Sequence, residues 1–533
     1  MAAKKLTVEQ IKNKIDRLKS ERSVWESHWQ EVTEHVLPRR SRITTQRTEG
    51  SKENFQLLDS IGVHCNEILA GMLHSMLTPP NQYFMEMTSG VLAVDSNSDA
   101  RGWMQRTSRR MHSVWSNSNF HTEMHELYLD LPSIGTGNLE ILEDDKDVVR
   151  FSSKFIGNYY VDENSKGDVD QLFNEWHWTP KQLIEEFGIK NMPKEVKEMF
   201  KEKPDSAVLV HHAVYPTVMV DPKSTSKRFI SQYTLPEYDF EIDHGTFSTF
   251  PNAVPRWSKI SGEKYGRSLG MNALPELKVL NRMNKTMLIG AQKMVDPPLQ
   301  MDDDGVVLPL ITRPGGVNFR RPGSSEIRPI FANTNVEFGY QAMADRRQRV
   351  RDIYLVDKLQ LPPQNGGAAM TATETLQRSE ESMRLMGPYT GRMLREILIP
   401  VCERTYDIMN KRGMIEEPPE ILRGRDITFR FTSFIAKAQR ASEASAILRT
   451  LQSASGFMQM DPKLVNLFNG EQAVRILADI YGAPVEVLQG AREYNTIVQN
   501  IAAQQQAALQ AQQSAMATQQ DAAIVAAAQQ PGG

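Results

Sequence analysis

The sequence predicts an α+β fold, mainly helical, on three observations. Long segments repeat apolar residues in three- and four-residue steps. Runs rich in β-branched and aromatic residues concentrate between residues 81 and 255, and Pro and Gly clusters punctuate the segments. With 533 residues the chain is too long for one hydrophobic core, so roughly two to four regions of independent packing are expected.

Thr7-Val8-Glu9-Gln10 reads as a capping box. Ile11, Ile15, Leu18, Trp25, Trp29, Val32 and Val36 then mark one face of a helix that Leu37-Pro38 ends. Residues 39–53 are polar and basic and read as a loop. A second helix, about 59–77, carries Ile61, Ile68, Leu69, Met72, Leu73 and Met76 before Thr78-Pro79-Pro80. Helical patterns at 100–115, 122–131 and 180–187 alternate with strand-like runs at 148–152, 159–161, 172–178, 207–220 and 227–233. Asn164-Ser165-Lys166-Gly167 supplies a hairpin turn.

Residues 269–294 are helical, with Leu277, Leu280, Met283 and Met287 or Leu288 on one face, and Asp296-Pro297-Pro298 breaks the pattern. Residues 299–335 form a β- and turn-rich insertion. A helix over about 336–358 follows, carrying Tyr340, Met343, Val350 and Tyr354 on one side. Gln360 to Ala369 is a loop of small, uncharged or bending residues. Thr371-Ala372-Thr373-Glu374 is another capping box, opening a helix to about Arg412 that is roughly 60 Å long and bent by Pro388 and Pro400. The last hundred residues read as helical. Residues 501–533 are almost all Ala and Gln, and are either disordered or packed with identical copies around an axis.

The composition narrows the function. The formal charge is −3 and mean hydropathy −0.45, so no global basic field marks a nucleic-acid binder, and any DNA contact is local or weak. Two cysteines, Cys65 and Cys402, exclude a disulfide framework or zinc ribbon and suggest a reducing cytosol. No secretory leader or membrane span is read from the sequence.

His121-Thr122-Glu123-Met124-His125 spaces two imidazoles as zinc ligands. However, Glu123 is one position late for a metalloprotease base, so a solvated or interface helix is the better reading. Gly262 to Ser268 lacks the order of a phosphate loop, and Asp302-Asp303-Asp304 reads as a solvated turn. No catalytic residue, cofactor-binding residue or metal ligand is therefore assigned. Two basic clusters remain. Arg313, Arg320, Arg321 and Arg328 lie in the insertion, where phosphate contact and a solvated or subunit-pairing face are both open. Arg346, Arg347, Arg349 and Arg351 crowd the following helix, where pairing between copies is favoured, with Asp345, Asp352 and Asp357 nearby.

The order of helix, β insertion, helix, Gly/Pro loop and long kinked helix resembles the stem, clip, stem, tunnel loop and wing helix of phage portal proteins. Five local sequences look like the head-to-tail connecting family of podoviruses. They are Met72-Leu73-His74-Ser75-Met76-Leu77-Thr78-Pro79-Pro80, Asn158-Tyr159-Tyr160-Val161-Asp162-Glu163-Asn164, Gly266-Arg267-Ser268-Leu269-Gly270, Asp296-Pro297-Pro298 and Met370-Thr371-Ala372-Thr373-Glu374. The resemblance covers about residues 5–490.

It implies N-terminal helices and an α+β wing over 1–265, a first stem helix at 266–295, a clip at 296–335 and a second stem helix at 336–358. A tunnel loop at 359–370 follows, then a kinked wing helix and strand at 371–434, a helical crown at 435–500 and a barrel helix or disordered tail at 501–533. It further implies a non-enzymatic, dodecameric ring, made in the host cytoplasm and placed at one capsid vertex of the virion. Double-stranded DNA would pass through it without sequence specificity during packaging and ejection, held weakly by Gln360, Gln364, Asn365, Gly366 and Gly367. Expected partners are the terminase motor, scaffolding and major capsid proteins and tail adaptors, with no membrane and no cofactor. The alternatives are another virion structural protein, tail or internal, or an enzyme acting on nucleic acid.

Overall fold

The structure, a computed structural model, describes residues 5–44, 57–95, 97–221, 228–301, 303, 309–311, 316–330, 336–359, 386–431, 444, 446–454, 469–481, 496–497, 499–501 and 503–507. In chain order its principal elements begin with α1 (Val8–Val36), α2 (Ile61–Leu77), β1 (Met85–Thr88), α3 (Ser98–Asn117) and α4 (Phe120–Ile134). Strands β2 (Leu139–Asp144), β3 (Val148–Ser153), β4 (Tyr159–Glu163) and β5 (Val169–Trp178) precede α5 (Pro180–Phe187) and α6 (Lys194–Glu202). Next come β6 (Val208–Pro216), β7 (Phe229–Leu235), β8 (Phe240–Phe247), β9 (Asn252–Ala253) and α7 (Leu269–Val295). The remainder is β10 (Leu299–Gln300), β11 (Arg328–Pro329), α8 (Val336–Ile353), helix α9 over 386–411, β12 (Thr428–Phe431) and α10 (Gly470–Tyr481).

The chain divides into two compact units. One joins Met1–Phe84 to Arg110–Ile415; the other joins Met85–Arg109 to Glu416–Gly533. Residues 85–109, expected within the first segment of the chain, thus group with the C-terminal part.

In the first unit, α1 starts where the capping box places it. Thr7 Oγ1 accepts from Gln10 N, and Gln10 Oε1 accepts from Thr7 N at 3.0 Å. Its apolar stripe, Ile11, Ile15 and Leu18, packs on Tyr160, Phe173, Ala213, Tyr215 and Ile230 of an antiparallel sheet ordered β4-β5-β6-β7-β8. Side chains alternate across a sheet, so Val208 and Val210 of β6 face the other way, where Leu183 of α5 and Val196 of α6 cover them. Covered on both faces, β6 is buried along nearly its whole length, His211 and His212 included, rather than on alternate residues.

The expected turn closes β4 to β5. Asn164 Oδ1 accepts from the backbone of Lys166 and Asp168, and Gly167 has φ +79°. A second sheet, β3-β2-β9, packs with α4 and α9. Phe84, Trp115 and Phe120 stack in series beside it, and Trp115 Nε1 donates to Thr405 Oγ1 at 3.0 Å.

At Pro400, where a bend is expected, α9 carries a local irregularity. Pro400 cannot donate to the Glu396 carbonyl four residues earlier, and Leu394–Leu398 winds as a π-helix immediately before it. The bulge carries Glu396 onto the buried Arg256. That arginine binds Glu396 at 2.7 Å and Gly167 O at 3.0 Å, and also pairs with Glu163.

In the second unit β1 pairs antiparallel with β12, Met85 opposite Phe431. Asp95 accepts from Thr88 Oγ1 and Ser89 N, closing the turn after β1, and Trp103 Nε1 donates to Glu416 O at 2.9 Å.

Candidate interface and channel helices

α7 is seated by close backbone packing that the Gly266-Arg267-Ser268-Leu269-Gly270 motif makes possible. Ser268 caps the helix by accepting from Met271 N at 3.0 Å, and its own hydroxyl donates to Ser133 O at 2.8 Å. A Cβ on Gly266 would overlap the Gly135 carbonyl, and Gly135 itself sits at φ +93°. A Cβ on Gly270 would stand 2.8 Å from Val32 Cγ1 and 2.9 Å from Ser133 O. Only glycine fits this corner.

The Asn158–Asn164 motif is equally built. Tyr159, Tyr160 and Val161 are buried, and the Arg22 guanidinium lies 4.0 Å above the Tyr160 ring while donating to Ile156 O and Tyr159 O. Asp162 meets Lys14 at 2.6 Å and Lys264 at 2.8 Å, and Lys259 meets Glu163 at 2.6 Å. Burial alone would raise the Asp162 carboxyl; the two lysines reverse this and hold it below the usual carboxylate range.

The first half of α7 is core, with Leu274, Leu277 and Leu280 buried. Beyond Leu280 it leaves the core and pairs with α8, where a Cβ on Gly339 would overlap the Met287 side chain. Glu276 binds Arg346 at 2.6 Å and Arg349 at 3.6 Å. Asp59, which also caps α2 through Ile61 N, binds Arg347 at 2.8 Å, and Arg351 pairs with Asp357. All four arginines that the sequence suggested for pairing between copies therefore meet carboxylates of their own chain. Asp357 lies close to them in sequence; Glu276 and Asp59, at 70 and 288 residues' separation, do not. Helix α8 also stops earlier than the expected 358, because Leu355 adopts φ +57° before a last short turn at Val356–Leu359.

The insertion is closed at its base by the two-residue ladder of β10 and β11, Leu299 opposite Pro329. Asn318 braces it by accepting from Ile311 N and donating to Ile311 O. Arg320, Arg321 and Arg328 are exposed. Arg313, the residues Gln360, Gln364, Asn365, Gly366 and Gly367, the capping box at Thr371 and nearly all of the Ala/Gln tail lie outside the described residues.

The helix holding His121 and His125 brings them to a third imidazole that sequence reading missed. His74 of α2 stands edge-on to both, at centroid separations of 5.5 and 6.2 Å. Among the described residues no group of three or more His, Cys, Asp or Glu side chains is placed to hold a metal ion. Two buried histidines, His74 here and His212 of β6, make the fold acid-sensitive. Burial, with the neighbouring imidazoles, depresses His74 to about 4, and burial depresses His212 to about 3. The folded state prefers both rings neutral, so stability is complete above the ordinary histidine value near 6.5 and is lost as pH falls from there toward 4 and 3. His74→Gln is expected to shift the acid-unfolding midpoint, followed by circular dichroism, to lower pH.

Residues 8–488 match the family described as bacteriophage head to tail connecting protein. The chain is similar to the probable portal protein of Bordetella phage BPP-1, 28% identical over 506 residues that make up 93% of this chain and 91% of that one. It is also similar to the portal protein of Salmonella phage epsilon15, 26% identical over 503 residues, 91% of this chain and 90% of the other. Among solved structures it is similar to a chain of the virion of a native gene transfer agent particle, at TM-score 0.34 and 11% identity, covering 82% of this chain and 98% of that one. A chain from the neck of that particle, computed with C12 symmetry, has TM-score 0.32 and 13% identity, covering 75% and 92%. The chain belongs to the bacteriophage head to tail connecting protein family, and it is a structural protein of the phage particle, a portal subunit of the head-to-tail connector. Among the described residues no helix is long and apolar enough to cross a membrane.

Proposed function

We propose that copies of this chain close into a ring, a dodecamer, at one capsid vertex, through which double-stranded DNA passes during packaging and ejection. The observation that carries this reading is the apolar surface of α7 and α8 outside the core. Val295 is 88% exposed and Phe338 71%, with Leu288, Met294 and Tyr340 exposed beside them. A monomer gains nothing from such a surface, whereas a head-to-tail contact repeated around an axis buries it.

In this reading α7 and α8 are the stem, residues 296–335 the clip, 359–370 the tunnel loop and 435–500 the crown. The clip arginines Arg320, Arg321 and Arg328, with Arg313, contact DNA phosphate or the terminase motor. Scaffolding and major capsid proteins and tail adaptors dock on the same ring. The paired state of Arg346, Arg347 and Arg351 leaves Arg349, the most exposed and most loosely held of the four, as the one able to reach a neighbouring copy.

Electron-microscope images of the purified protein are expected to show rings with a central hole. Val295→Asp combined with Phe338→Asp is expected to leave a folded chain that sediments as monomer. Assembly unaffected by these charges would move the contact surface elsewhere.

A further inference from the structure

From Lys278 to Val295, α7 carries Lys278, Arg282, Lys285 and Lys293 and no carboxylate, in a chain whose net charge is −3. With Ile289 these residues advance in steps of four, three, four and four, which is one stripe along a helix. The side facing α8 is a different series, Glu276, Leu280, Met283 and Met287. Position 282 lies two residues, about 200°, from 280, so the stripe looks away from α8. Lys278 reaches Glu31 of α1 at 2.6 Å. Arg282 and Lys285 are exposed, and among the described residues no carboxylate meets either. The α8 arginines, favoured from the sequence for pairing between copies, by contrast all meet carboxylates of their own chain, Glu276, Asp59 and Asp357.

We propose that the outer face of α7, through Arg282 and Lys285, is the surface that meets the phosphates of duplex DNA in the channel; this rests on the ring reading above. The stripe spans fifteen residues, about 22 Å, which is less than one turn of a duplex. Each copy therefore touches a few phosphates at most, and neighbouring copies touch the next ones. Two uncompensated cations per copy give salt-dependent attraction without base readout. Ile289, the next position along the stripe after Lys285, offers no hydrogen bond that would fix a register. Such a face orients DNA on the axis while letting it slide.

The test measures binding of a short duplex to rings of the full-length chain across a range of salt. R282Q/K285Q is expected to form the same rings but to lower the slope of log affinity against log salt by about 1 for each phosphate no longer neutralised. R282K/K285R, which keeps both charges, is expected to restore it. An unchanged slope in intact R282Q/K285Q rings overturns the assignment and leaves the channel standing. Failure of R282Q/K285Q to form rings overturns it too, since the stripe then lies against a neighbouring copy. Wild-type rings that bind no duplex even at low salt defeat the channel reading, and this assignment with it.

Discussion

Arg256→Met is expected to lower the unfolding temperature of the first unit by roughly 3–6 °C. The arginine is 2% exposed, and its guanidinium joins Glu163 of β4, Glu396 of the π segment and Gly167 O of the hairpin turn. Glu396 also accepts from the Arg256 backbone N–H at 2.7 Å. Removing the cation leaves two carboxylates in a low-dielectric site, and breaking one partner of a buried pair costs about 3–5 kcal/mol. Lys259 still reaches Glu163 at 2.6 Å and Arg392 reaches Glu396 at 3.2 Å, which places the loss near the lower figure. For a unit of this size each kcal/mol shifts the midpoint by roughly 1–2 °C, so about 3 kcal/mol corresponds to roughly 3–6 °C. Neutralising the acids as well, with Arg256→Met, Glu163→Gln and Glu396→Gln together, is expected to recover most of it. Calorimetry of the three proteins checks the account; an unshifted transition in Arg256→Met would show that the network holds nothing.

Gly266→Ala is expected to cost about 2–3 kcal/mol, or to leave the protein insoluble, through a different cause. The added methyl meets the Gly135 carbonyl and lies 3.0 Å from Arg256 Cβ, so backbone has to move rather than a flexible side-chain tip. Gly135 cannot yield easily, because its own positive φ fixes the corner at the end of α4. Gly71→Ala, in the middle of α2, meets nothing within 4 Å and is the matched control. There the substitution is expected to stabilise by about 0.5–1 kcal/mol, since alanine loses less backbone entropy in a helix. Urea unfolding of both variants separates steric overlap from a general intolerance of change.

Local rules made much of the fold legible in the sequence. The capping box at Thr7, the breakers after Leu77 and Val295 and the Asn164–Gly167 turn each act within four residues of themselves, and the structure carries all of them. Elements with weak local signals were missed. Leu139–Asp144 alternates too briefly to read as a strand, and Phe240–Phe247 holds acidic and Gly positions that disguise it. The charge network was illegible for another reason. Arg256 finds Glu163 and Glu396 at 93 and 140 residues' separation, and Arg347 finds Asp59 at 288. Composition shows that arginines are crowded but not which of them are neutralised. That is why the α8 cluster stands out in the sequence while Arg282 and Lys285 do not. The π segment lies between these cases: Pro400 announces an irregularity, but only the fold shows that the π turn delivers Glu396 to Arg256.

The most direct test of the central claim is the native mass of the full-length protein in solution. Twelve copies of a 60.4 kDa chain amount to about 725 kDa, and a species of that mass, with a hole along its symmetry axis, is the expected result. A stable 60.4 kDa monomer, keeping Val295 and Phe338 in water under every condition tried, would contradict it.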